Sequence, residues 1–278
     1  MIHCKELNTD YSTKEELFKA LKENKDKIIG IKKKTIYTGY DAANPDASKQ
    51  IVSNSQVKLK SIDKAATKDL FKDTDYYYIA VNTTNVLDSH NDLHVKGIWN
   101  RSAKMQSGKN YLVDTHSLTI KDVIAYPEDV EIFVADIPFK SIGKDYEGNT
   151  EALIYKVKKT AIIGDEIKSA LESGKTMQAS VKMQYVQMEI AMKSEAEEDK
   201  EELKTYNQYK DQIANISEFK EEPLYFFVQK EAKNIHESSL VPFGSNSATG
   251  KINVDSSNDT QHEKETVKTD TSVNSLLI

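Results

Sequence analysis

Three stretches of this chain carry residues able to do acyl-transfer chemistry. Tyr111-Leu-Val-Asp-Thr-His116 reads as a strand ending in an imidazole. Gly174-Lys-Thr-Met-Gln-Ala-Ser180-Val-Lys-Met183 reads as a strand entered from a helix. Along it Met177, Ala179, Val181, Met183 and Tyr185 alternate on one face, which leaves Ser180 on the other with Gln178 and Lys182. Ile235-His236-Glu237-Ser238-Ser239-Leu240-Val241 is a third strand, closed by Pro242-Phe243-Gly244. A hydroxyl, an imidazole and a carboxylate are the parts of a nucleophile, its general base and the group that orients the base. Spacing alone does not join them. Ser180 as a small edge residue, His116 as a satisfied strand-end histidine and Glu237 as a surface acid are the ordinary readings.

Other motifs fail on their own physics. Gly174-Lys175-Thr176 resembles the end of a phosphate-binding loop, but Ser169 stands where the loop needs glycine, and the order helix then strand is reversed. His90 and His94 have the spacing of helical zinc ligands, yet nothing from Leu87 to Gly97 is patterned as a helix. In extended chain they lie about 13 Å apart, too far to share a metal. An exposed loop is expected there, with no metal and no cofactor. No Gly-x-Ser-x-Gly elbow is present.

The chain of 278 residues is long enough for one large domain or two small ones. Hydrophobic residues are 38% and charged residues 29%, with mean hydropathy −0.61. No apolar run approaches a membrane span, and the first residues lack the order of a signal peptide. Net charge is −6, which argues against binding nucleic acid by phosphate neutralisation. Cys4 is the sole cysteine, so no internal disulfide forms and a reducing cytoplasm is expected.

Residues 1–55 read as an appended, partly helical arm, with a capping box at Ser12-Thr13-Lys14-Glu15 and an apolar stripe of Leu17, Phe18 and Leu21. A loop is expected over Asp41 to Ser48 and a second short helix near Ser61 to Phe71. Residues 56–245 form the core. Strands are expected at Tyr76–Val81, Tyr111–His116, Val130–Ala135, Ala152–Val157, Met177–Met188 and Leu224–Val228. A helix from Asp165 to Ser173 ends on Gly174, and a charged helical insertion spans 191–215. Strands outnumbering helices without βαβ alternation point to an α+β fold: a barrel-like, mostly antiparallel sheet with helices around it. Residues 246–278 are a polar tail, expected to be disordered.

The order of these segments resembles the prohead (capsid maturation) proteases of tailed phages, which share a fold with the herpesvirus assemblins. Asp88-Ser-His-Asn-Asp92-Leu-His-Val-Lys-Gly97 is similar to their Asp-x-x-Gly-Asp-x-x-x-x-Gly segment. A strand ending in histidine, a helix leading to the serine strand, and Glu237-Ser-Ser-Leu-Val241 follow in the same order. The resemblance covers about Tyr76 to Ala248. It implies Ser180 as nucleophile, His116 as general base and Glu237 as third member. His236 is the neighbouring alternative on the opposite face, and carboxylate chemistry favours Glu237. It also implies scaffold protein and major capsid protein as substrates, self-cleavage, and a location in the host cytoplasm inside the immature capsid; dimerisation is a feature of the herpesviral relatives, which leaves a homodimer or oligomer open.

Three departures stand out. Asn91 replaces a glycine, Val181-Lys182-Met183 follows the serine, and Ser245-Asn246 stands where assemblins have Arg-Arg. The last two leave the oxyanion hole unassigned. They sustain a rival reading from another class, a catalytically inactive protease-fold structural or scaffolding protein of the capsid. A third reading is a cytoplasmic serine hydrolase unrelated to capsids.

Overall fold

Thr13 opens the first helix by accepting the Glu16 amide on its side chain, while Glu16 reaches back to the Ser12 amide at 2.9 Å. The capping box therefore lies one residue later than Ser12–Glu15. The computed structural model describes residues 1–38 and 71–253. The loop expected at 41–48 and almost all of the helix expected at 61–71 lie outside these residues.

A hairpin of β1 (Ile2–Cys4) and β2 (Thr9–Tyr11) precedes α1 (Lys14–Glu23), α2 (Lys25–Lys34) and the short β3 (Tyr37–Thr38). Then come β4 (Tyr76–Thr83), β5 (Asp92–His94), α3 (Asn100–Gln106), β6 (Tyr111–Asp114) and β7 (Val123–Ala125). After β8 (Val130–Pro138) and β9 (Asn149–Lys158), α4 (Asp165–Glu172) stops at Ser173, and Gly174 takes φ +67°, as a C′ glycine should. The chain continues through β10 (Gln178–Met192), α5 (Lys200–Tyr209), β11 (Tyr225–Val241) and β12 (Gly250–Lys251).

The strands form two main sheets, β3-β10-β11-β6-β7 with β5 also on β11, and β12-β4-β9-β8. Pairing is antiparallel except where β5 and β6 run parallel to β11, one after the other along its edge. Both sheets end on edge strands, so the described residues make no closed barrel, and the barrel-like expectation is corrected to packed open sheets in a mixed helix and sheet fold. Alternation explains the packing. Ile79, Val81, Leu153 and Tyr155 of one sheet meet Val181, Met183, Tyr185 and Leu240 of the other in one buried cluster. Each such side chain contributes about 1.5–3 kcal/mol when fully buried.

Leu17, Phe18, Leu21 and Ile28 of α1 and α2 enter the same cluster. Helix α5 packs on β10 and is tied to α1 and α2 by Glu202, 1% exposed, which takes Lys22 at 2.8 Å and Lys25 at 2.5 Å. The insertion expected at 191–215 is thus narrower, since β10 runs on to Met192, and its inner face is not solvated.

The tail boundary also moves. Residues 246–253 are folded, with Ala248 buried and β12 paired to β4. A Cβ on Gly250 would lie 2.6 Å from the Met177 carbonyl oxygen, at a φ of +130°. Gly250→Ala is expected to cost about 1–3 kcal/mol, seen as a Tm roughly 2–12 °C lower in a thermal melt. Among the described residues no helix is long and apolar enough to cross a membrane.

Candidate active site

Strand β6 stops at Asp114, and the chain reverses in a turn closed by the Ser117 amide donating to the Asp114 carbonyl at 2.9 Å. Its two central residues, Thr115 and His116, have φ of +44° and +59°. Positive φ at both positions is the pattern of a type I′ turn, which favours Asn-Gly. A β-branched threonine there is strained, on the order of 1–3 kcal/mol per such residue. Neighbours hold the turn in place. The Thr115 amide donates to the Leu240 carbonyl at 3.1 Å, and the His116 amide donates to Ser239 Oγ at 2.9 Å.

Glu237 reaches the ring because of an irregularity in β11. Between Val181↔Ser238 and Met183↔Asn234, β10 advances two residues and β11 advances four. The bulge contains His236 at φ +67°. Such an insertion re-aims the side chains around it. His236 ends up exposed, while Glu237 is fully buried with Oε1 2.9 Å from His116 Nδ1. Between the two neighbours the structure brings Glu237, and not His236, to His116. The surface-acid reading of Glu237 is overturned.

Ser180 lies on β10 as the antiparallel partner of Ser239. Directly paired residues share a face, so its hydroxyl is on the face that carries Glu237, Ser239 and the imidazole. No hydrogen bond joins Ser180 to His116, and Ser180 is only 5% exposed although it lies on the face opposite the main core.

Donor counting fixes the tautomer. Ser239 has one hydroxyl proton and donates it to Glu237 Oε2 at 2.9 Å. The carboxylate only accepts, so His116 Nδ1 carries the proton shared with Glu237. In the neutral ring this leaves Nε2 as the acceptor; Nε2 is buried and has no partner among the described residues. A buried acceptor without a donor is uncommon in a folded protein, and it is the state a general base requires before it meets its substrate.

A second polar cluster occupies the other end of β11. Asp92 is fully buried and accepts from Lys32 Nζ at 2.7 Å, Gln229 Nε2 at 2.9 Å and the Tyr185 hydroxyl at 3.0 Å. His94 lies between Asn82 and the Tyr185 hydroxyl, and burial pushes it down to about 4, so it is neutral near pH 7. Asp88 is pushed up to about 8, first by burial and then by the charge of Asp92. The loop of exposed histidines expected here is therefore corrected: His94 is in a buried strand and His90 is half-buried. Among the described residues no group of three or more His, Cys, Asp or Glu could hold a metal. Asn91 has φ +58°, where glycine is favoured and asparagine tolerated.

Sequence reading gave no role to Ser239, although period-two alternation from Glu237 puts it on the same face. Nor did it join Lys32 to Asp92, which are 60 positions apart. No family model, curated protein or solved structure matches this chain.

Proposed function

We propose that the chain is a serine endopeptidase of the prohead maturation class, with an assemblin-like core. Ser180 is the nucleophile, His116 the general base and Glu237 the group that orients it. The observation that carries this reading is the Glu237 carboxylate on His116 Nδ1, with Nε2 unpartnered on the face of Ser180. His116 Nε2 takes the Ser180 proton as Oγ attacks a peptide carbonyl, and Glu237 stabilises the imidazolium that results. The proton then passes to the leaving amine, and water hydrolyses the acyl-enzyme with the same base. Asn91 at φ +58° supports the resemblance, because this departure from glycine keeps the backbone conformation that glycine would adopt. On this reading the substrates are scaffold protein, major capsid protein and the chain itself, inside an immature capsid.

The inactive structural reading draws on one observation, the enclosure of Ser180 without a hydrogen bond to His116. A fluorophosphonate separates the two. A live site gains one adduct mass mapping to the Ser180 peptide and gains none in Ser180→Ala. An unlabelled wild type favours the structural protein.

A further inference from the structure

We infer that Ser239 is a positioning residue that fixes both the backbone and the tautomer of His116. This rests on the peptidase reading of the site. Ser239 is fully buried and touches His116 in two ways. Its Oγ accepts the His116 amide at 2.9 Å and lies 3.2 Å from Nδ1. Its own proton goes to Glu237 Oε2 at 2.9 Å. One hydroxyl therefore ties the turn, the ring and the carboxylate together.

The geometry gives each tie a consequence. Without the acceptor at Oγ, the His116 amide loses its partner in a turn whose central residues are both at positive φ. Without the donated hydrogen bond, Glu237 Oε2 keeps only its 3.2 Å approach to Nδ1. The carboxylate is then held only through Nδ1, by Oε1 at 2.9 Å and Oε2, so the Nδ1–H direction is less firmly fixed. Ser239 cannot itself be the nucleophile, because it lies on the Nδ1 side and its proton is already committed to a carboxylate. The pairing Ser180↔Ser239 places the two hydroxyls side by side with separate tasks.

The test compares Ser239→Ala, Ser239→Thr and wild type, each first checked for a cooperative melt. Phosphonate labelling of Ser180 should slow about 10- to 100-fold in Ser239→Ala, as for outer partners that orient a histidine elsewhere. With a turned-over peptide the loss should fall in kcat and leave KM unchanged. The downfield proton NMR signal of His116 Nδ1–H should broaden or vanish, and the pH dependence of labelling should move. Ser239→Thr keeps the hydroxyl and should restore the signal and most of the rate.

A melt lowered in Ser239→Ala with labelling rate, pH profile and Nδ1–H signal all unchanged would show a merely structural serine and overturn the inference. If Ser180 resists the phosphonate in every protein while the Nδ1–H signal is still lost in Ser239→Ala, the peptidase reading fails and the positioning role stands. If Ser180 labels normally and the signal survives in Ser239→Ala, the positioning role fails alone.

Discussion

Co-expressed with the scaffold and capsid proteins that the proposed function names as substrates, the wild-type chain should yield discrete truncation products by intact-mass spectrometry, and Ser180→Ala should yield none. Removing the nucleophile deletes the acyl-enzyme route, and such losses reach on the order of 10⁶ in kcat for serine peptidases. Glu237→Gln tests the same constellation from the other side. An amide can turn its NH2 toward Nδ1, which favours the tautomer with the proton on Nε2, where it blocks the attack. A loss of about 10⁴ is expected, with Ser180 still intact and the fold retained. Unchanged products from Ser180→Ala would remove Ser180 as nucleophile. Full-length wild type under all conditions would move the structural reading ahead.

The second large effect concerns stability. Asp92→Ala would leave the Lys32 ammonium, 6% exposed, without its closest counter-charge and strip the Tyr185 hydroxyl and the Gln229 amide of an acceptor. Breaking one side of a buried pair costs about 3–5 kcal/mol, because the remaining charge stays buried. For a chain of this size that lowers Tm by roughly 6–20 °C. A double variant, Asp92→Leu with Lys32→Met, should recover part of the loss, since no charge is then stranded. A melt of Asp92→Ala within about 2 °C of wild type would show that the site is not closed to water.

Where one face of an element is buried, the residues announce it. Ala179, Val181, Met183 and Tyr185 point to the core as their alternation requires, which puts Ser180 opposite them. The helix before the serine strand ends at Gly174 for the reason its residue type suggests. What escaped the sequence are features set by pairing between distant segments. The choice between His236 and Glu237 depends on a bulge, and period two says only that neighbours face opposite ways. Continuity of β11 across seventeen residues was hidden by the largely polar run Lys230-Glu231-Ala232-Lys233-Asn234, which is mostly half-buried between the stretches that pair with β5 and β6. His94 looked like a loop residue because a three-residue strand has no period to read. The helices of the first 34 residues looked appended because their stripe is short, yet it enters the main core.

The Thr115–His116 turn has a consequence for how such a chain can change over generations. The pair best suited to both positions by local energetics is Asn-Gly, so variants selected for surviving heat alone would drift toward it. Half of that drift is harmless, since Thr115 offers the site only its backbone amide to Leu240. The other half removes His116, the base of the proposed function. A heat-hardened lineage could thus become a silent copy of the same fold by one substitution that improves its melting behaviour. If the peptidase proposal holds, the identity of residue 116 is therefore the quickest sign of which members of such a lineage keep the activity.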